Sequence, residues 1–219
     1  FILGNDFIPH SDSLSIRENG INILIQTYVS LHNKTGQNLL INNNGKISIN
    51  LPIFKIFLNK LSQEEDNHLI NLTKKILKKK PFIKRNSSQN EIELQKLNLY
   101  PMYNRKKEPI VNMGSEGWKE RYYLNCFNID NDEEIKKICI NYYEGLVWNL
   151  RYYFEGCYSW TWYYKYNHAP SLQDLSNYLD ININSILEKN DNQLKPFEQL
   201  LSVLPSKSSH LLPTKVANL

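Results

Sequence analysis

The chain has 219 residues, 41% of them hydrophobic and 22% charged, with 26 Lys and Arg against 22 Asp and Glu for a net charge of +4. That composition is enough for a packed core and excludes global disorder. So small a net charge does not by itself mark a nucleic-acid binder.

Phe1-Ile2-Leu3 reads as the end of a buried strand that runs into a loop at Gly4-Asn5-Asp6. Ile21, Leu24, Ile25, Tyr28 and Leu31 recur at three- and four-residue steps and predict a helix over 20–34, with Gly36 placed to stop it. Asn42-Asn43-Asn44-Gly45 is a turn between short apolar runs. Pro52 suits the first turn of a helix over 52–61, with Phe54, Phe57, Leu58 and Leu61 on one face. Ser62-x-x-Glu65 reads as a capping box opening a third helix over 63–79. That helix ends in a run of Lys74, Lys75, Lys78, Lys79, Lys80, Lys84 and Arg85 without an acid among them. Such a run is either a solvated helix end and loop or a nucleic-acid contact.

Residues 82–117 are polar with little periodicity and are expected to form a loop or variable insertion. Asp130-x-x-Glu133 resembles a capping box for a long helix over 131–155. Ile135, Ile138, Cys139, Tyr142, Leu146 and Leu150 hold its apolar face up to Gly156. Gly145 inside it costs about 1 kcal/mol relative to Ala, which predicts close packing there. Shorter helices are expected over 171–179 and 196–204. The fold class is mainly α.

Three cysteines, Cys126, Cys139 and Cys157, are odd in number and lack CxxC spacing. They argue against a disulfide framework or a zinc site and fit a reducing, intracellular compartment. No apolar run approaches the roughly 18 residues of a membrane span. The chain opens on Phe1 rather than Met, with a formed motif at once, so the expectation is a piece cut from a longer polypeptide.

Three motifs carry chemistry. In Gly4-Asn5-Asp6-Phe7-Ile8-Pro9-His10, a strand ends in a glycine turn, and ligands bind at the strand ends of open α/β sheets. A carboxylate there suits Mg²⁺, though a strand-end Asp is also a common turn former, and His10 alone reads as structural. In Ser159-Trp160-Thr161-Trp162-Tyr163-Tyr164, rings past the helix end alternate in direction. They are either platforms for unpaired bases or a plug for the core. The stretch Lys195–Pro205 is a short amphipathic helix. Ser208, Ser209 and His210 after it lack the orienting acid and oxyanion turn of a nucleophile pair.

Taken together these motifs resemble the Xrn family of 5′→3′ exoribonucleases. Phe1–His10 is similar to the family's FLLGNDFLPH segment, continued by Ser13-Leu14-Ser15-Ile16-Arg17-Glu18. Trp118–Tyr123 resembles its K-E-R-Y-Y stretch, and Tyr143–Tyr153 its Y-E-G-L-x-W-x-L-x-Y-Y helix. Ser159–Tyr164 resembles S-W-x-W-Y-Y, and Lys195–Pro205 resembles K-P-F-E-Q-L-L-x-V-L-P. The chain departs from the family's Y-P-Y-H-Y-A-P at Tyr164-Lys165-Tyr166-Asn167-His168-Ala169-Pro170.

The resemblance implies the helical domain of a larger α/β metal-dependent exonuclease. Residues 1–35 would close the nuclease core, 36–81 form a helical segment, 82–117 a variable linker, and 118–219 a second helical and aromatic block. It implies a processive enzyme acting on single-stranded, 5′-monophosphorylated RNA with Mg²⁺ or Mn²⁺, in RNA decay or processing in the nucleus or cytoplasm. Asp6 inherits the role of last metal ligand, supported by Asn5 and His10. Either Trp160 or Trp162 would stack on a substrate base. The other ligands and the 5′-phosphate pocket would lie upstream, so this chain alone is expected to be inactive. The competing readings are a non-catalytic helical RNA-binding or scaffold module, with Asp6 merely capping a turn, and a related structure-specific DNA nuclease. The second is disfavoured by the Y-E-G-L-x-W and K-P-F-E-Q-L-L blocks.

Overall fold

The computed structural model describes residues 1–78, 84, 87–103, 108–179, 187, 189–190 and 192–217. Ten α-helices lie among them: α1 (Gly20–Thr35), α2 (Leu51–Ser62), α3 (Glu65–Lys78), α4 (Gln89–Tyr103), α5 (Glu108–Val111), α6 (Trp118–Tyr122), α7 (Asp132–Glu155), α8 (Leu172–Tyr178), α9 (Pro196–Val203) and α10 (Thr214–Ala217). The only sheet among the described residues is the hairpin β1 (Leu40–Asn43) and β2 (Lys46–Ile49).

The apolar periodicity explains the main layer. α7 is one unbroken helix of 24 residues, as its heptad-like spacing predicts. Its Cys139, Tyr142, Tyr143 and Leu146 pack against Phe54, Phe57 and Leu58 of α2 and Leu172 and Leu175 of α8. Ile2, Ile8 and Leu14 from the N-terminal loop complete the same core. A smaller cluster joins Leu69 of α3 to Trp118, Tyr122 and Tyr123, with Ile138 of α7 beneath. α1 ends as expected at Gly36, whose φ of 66° is a left-handed stop and whose N–H returns to the His32 carbonyl. Part of the α1 stripe, Ile21 and Ile25, remains exposed. Leu24 and Ile25 instead line an apolar groove of about 430 Å³ with Ile2, Tyr28, Phe54 and Leu146.

Three expectations need correction, while the expected turn before Lys46 forms. Phe1–Leu3 is not a strand: the Gly4 amide bonds back to the Phe1 carbonyl at 2.8 Å and the Ser11 amide to the Ile2 carbonyl at 2.9 Å, closing a loop instead. The turn at Asn44-Gly45 has strands on both sides, because φ values of 53° and 89° make the two-residue hairpin turn that matches strand twist. The capping box at Ser62 does not form. Ser62 Oγ donates to the Asn59 carbonyl, and both Glu65 carboxylate oxygens accept the first amides of α8, Leu172 at 2.8 Å and Gln173 at 3.1 Å. At α7 the cap is Asn131, whose Oδ1 accepts the Glu134 amide, one residue beyond the predicted pair.

Within 82–117, read as a loop, lies the four-turn helix α4. It starts at a true capping box: Glu91 Oε2 accepts the Ser88 amide at 2.8 Å while Ser88 Oγ faces the Glu91 amide. Of the basic run, Lys74, Lys75 and Lys78 are exposed on α3, Lys75 pairing with Glu18 at 2.7 Å, and Lys84 is exposed as well. Lys79, Lys80 and Arg85 lie outside the described residues. No helix among the described residues is long and apolar enough to cross a membrane.

Candidate active-site corner

The Gly4–His10 loop is held by one face of α7, residue by residue. Tyr142 donates its hydroxyl proton to the Pro9 carbonyl at 2.9 Å. Gly145 lies under Ile8: a Cβ there would sit 2.7 Å from Ile8 Cγ2 and 2.9 Å from Trp162 Cη2. Trp148 meets the Phe7 ring edge-on at 4.8 Å. Asn149 accepts from Asn5 Nδ2 at 2.5 Å. Positions 142, 145, 148 and 149 of one helix thus hold residues 9, 8, 7 and 5 in reverse order.

Asp6 is the residue between those anchors. It is exposed, and no described residue forms a hydrogen bond or ion pair with its carboxylate. The turn that presents it is closed by Asn5, whose Oδ1 accepts both the Phe7 and Ile8 amides at 3.0 Å, while the Asn5 amide donates to the Ile8 carbonyl. Gly4 has a φ of 84°, and a Cβ on it would come within 2.9 Å of the His10 amide, so the turn needs glycine. His10 is exposed and its Nδ1 faces the Ser11 carbonyl at 2.9 Å, a contact within the loop.

The aromatic segment runs beside this loop. Trp162 stacks on Trp148 at 5.6 Å, and its indole N–H donates to Glu144 at 3.3 Å. Trp148 also stacks on Tyr152 at 5.1 Å and donates to the Ser159 carbonyl at 2.9 Å. The two tryptophans one residue apart diverge. Trp162 is half-buried at the edge of the main core, and Trp160 is 48% exposed. The Trp160 backbone is fixed by a bridge to Asn190, and Tyr158 before it carries the Arg151 guanidinium at 3.9 Å over its ring.

The Trp118–Tyr123 motif serves the architecture. Arg121 donates to the Val111 and Glu116 carbonyls and to Ser115 Oγ. Tyr122 reaches Asp12 and the Ala169 carbonyl, and Tyr123 donates to Asp174. Beside them burial pushes the Glu65 carboxyl up to about 7, outweighing the two α8 amides that favour its charged form, with Asp174 and Asp66 adding repulsion. Ser208, Ser209 and His210 lie in a short 3₁₀ turn where His210 Nδ1 faces the Lys207 carbonyl, so no nucleophile pair forms there.

The description of the Xrn1 helical domain as a sequence family matches residues 1–108 and 90–219. The chain is 30% identical over 97% of its length to 5′-3′ exoribonuclease 1 of Homo sapiens. The chain belongs to the Xrn helical-domain family. It is also 27% identical over its whole length to the 5′-3′ exoribonuclease 2 homolog of Drosophila melanogaster, and 43% identical over 48% of its length to 5′-3′ exoribonuclease 2 of Gallus gallus. It spans 14%, 28% and 11% of the length of these three relatives, respectively.

Nucleases of this family generally depend on a divalent cation, and the Asp6 carboxylate is of the chemical type that such an ion binds. An exposed carboxylate without a described partner is a hard oxygen donor. Among the described residues no three His, Cys, Asp or Glu side chains gather to hold an ion. Sequence reasoning missed Tyr142, Trp148 and Asn149 as the supports of this loop. Their signal was polar or hydrogen-bonding groups on the core face of α7: Asn149 is fully buried at a position the apolar stripe would give to a hydrophobe.

Proposed function

We propose that this chain is part of a processive 5′→3′ exoribonuclease that hydrolyses single-stranded, 5′-monophosphorylated RNA, to which it contributes Asp6 as a metal ligand and Trp160 as a base-stacking ring. The observation that carries this is the exposed Asp6 carboxylate, set in a turn that α7 grips on both sides. A divalent cation bound there with upstream ligands would polarise the phosphodiester and lower the pKa of an attacking water. The chain's own residues do the positioning. Asn5 fixes the turn, Gly145 lets the loop approach the helix, and Asp6 supplies a negative oxygen. Trp160 presents a free ring face, and stacking on it is tolerant of base identity, as degradation of any sequence requires. Trp162, stacked on Trp148 and hydrogen-bonded to Glu144, anchors the segment.

The test is Asp6→Asn in the intact protein. The exchange keeps size and removes the charge. Hydrolysis with Mg²⁺ should fall by 100-fold or more in order of magnitude, with single-stranded RNA binding within about twofold of wild type. Degradation at near the wild-type rate would overturn the assignment.

A further inference from the structure

We infer that Asn149 is a positioning residue for Asp6: from the middle of α7 it sets the turn conformation that aims the Asp6 carboxylate. The inference rests on the reading of Asp6 as a metal ligand. Asn149 is fully buried, and its amide is used at both ends. Nδ2 donates to the Gly145 carbonyl one turn back at 2.8 Å, which fixes the rotamer and leaves Oδ1 facing the loop. Oδ1 accepts Asn5 Nδ2 at 2.5 Å. That bond in turn orients the Asn5 amide so that its own Oδ1 faces the Phe7 and Ile8 amides, each at 3.0 Å. The chain of bonds therefore has a direction: helix carbonyl, Asn149, Asn5, then the two amides that follow Asp6. A reversed Asn149 amide would set its NH₂ against the NH₂ of Asn5, so the Gly145 carbonyl acts as the polarity key.

The geometry explains why a buried amide is retained where a hydrophobe would pack. An aliphatic side chain at 149 would fill the same space but leave Asn5 Nδ2 without an acceptor beside a buried wall. Asn5 would then be free to rotate, and the Phe7 and Ile8 amides would lose their common acceptor. Asp6 lies between Asn5 and those amides, so the direction of its Cα–Cβ bond is set by that closure, and no described residue holds its carboxylate. Groups that orient a metal ligand typically alter metal affinity or activity by about 10–100-fold when removed.

The experiment uses the intact protein with Asn149→Val, and Asn5→Ala as the second variant on the loop side. Backbone hydrogen exchange of the segment 4–10 is measured in metal-free protein, and Mn²⁺ binding by the loss of its free paramagnetic signal. The expected result is faster exchange in 4–10 with the 132–148 part of α7 still protected, about a 10-fold or greater weakening of Mn²⁺ binding, and unchanged single-stranded RNA binding. Asn5→Ala should reproduce both changes, and adding Asn149→Val to it should change Mn²⁺ affinity by less than about twofold, since the two residues act through one bond. Unaltered exchange in 4–10 or unaltered Mn²⁺ affinity in Asn5→Ala would overturn the inference, and so would fully additive effects, even if Asn149→Val fails to fold. Asp6→Asn run alongside separates the two claims. If it abolishes Mn²⁺ binding while Asn149→Val and Asn5→Ala leave binding intact, only the positioning role falls. If it leaves Mn²⁺ binding and hydrolysis at wild-type levels, the functional reading falls, and the positioning role with it.

Discussion

Gly145→Ala puts helix propensity and packing in direct opposition. Alanine in the interior of a helix is favoured over glycine by about 1 kcal/mol. At position 145 the added methyl would lie 2.7 Å from Ile8 Cγ2 and 2.9 Å from Trp162 Cη2, closer than real Cβ atoms come. Ile8 is 2% exposed and Trp162 is pinned between Trp148 and Glu144, so neither can swing into free space. Overpacking of this kind costs about 1–3 kcal/mol. It should exceed the propensity gain and leave a net loss of about 1 kcal/mol, which for a chain of this size lowers the melting temperature by about 2–4 °C. The displaced groups are the residue two after Asp6 and the ring that anchors Trp160, so hydrolysis by the intact protein should fall further than stability does, by about tenfold or more. Melting curves and single-turnover rates of the intact variant read both effects. A raised melting temperature with an unchanged rate would show that the loop does not rest on α7 as described.

The tryptophans should separate: Trp162→Ala should lower stability by about 3 kcal/mol, whereas Trp160→Ala should leave melting unchanged and weaken single-stranded RNA binding by about 1–3 kcal/mol for every base sequence, as read by anisotropy. The Glu65 carboxyl, held at about 7 in the fold against an ordinary 4.5, binds its proton more tightly when folded. Its stabilising contribution is therefore complete below pH 4.5 and lost as pH rises through 7, by on the order of 3 kcal/mol. Glu65→Gln should flatten that slope in denaturant titrations across the window, at the cost of one unpaired α8 amide. Ser88→Ala should fray the start of α4, seen as faster exchange at 89–92, with global melting unchanged because residues 89–98 of the helix are mostly exposed.

How far the sequence could be read depended on whether each element buries a face. α2, α7 and α8 each bury an apolar stripe, and the periodicity places each to within a residue or two. α4 has no such stripe: its Leu94 and Leu97 are 59% and 70% exposed, so periodicity could not find it. Its cap could have. Of the S/D-x-x-E patterns in the chain, those at Ser62 and Asp130 do not form capping boxes, whereas Ser88-x-x-Glu91 does. The difference is competition. Glu65 has a buried structural use 107 residues away, and Asn131 outcompetes Asp130, whereas no described residue near Ser88 and Glu91 offers either side chain a better partner. A capping pattern states what a helix start can use, and tertiary contacts decide whether it does.

The candidate site is proposed from its outward residues, while its supports were opaque in the sequence, for a physical reason. Asp6 and Trp160 stand on a loop and an extended segment, where few neighbours constrain their identity, so a motif can name them. Asn149 stands inside a helix whose pattern was read as hydrophobic. In the resemblance that identifies that helix, Y-E-G-L-x-W-x-L-x-Y-Y, it occupies an unspecified position. Its role depends on a partner 144 residues away, which no local pattern encodes. What the sequence does hold is the anomaly. A buried amide costs free energy unless each of its groups is paired, and α7 places Asn141 and Asn149 where its stripe calls for hydrophobes. Each turns out to be paired to a segment beyond the helix, Asn141 to Lys165 N–H at 3.0 Å and Asn149 to Asn5. The first fixes the strand of aromatics just after Trp162, the second the turn around Asp6. One helix thus fixes both candidate segments through its two buried amides, and the polar interruptions of its apolar face mark where it does so.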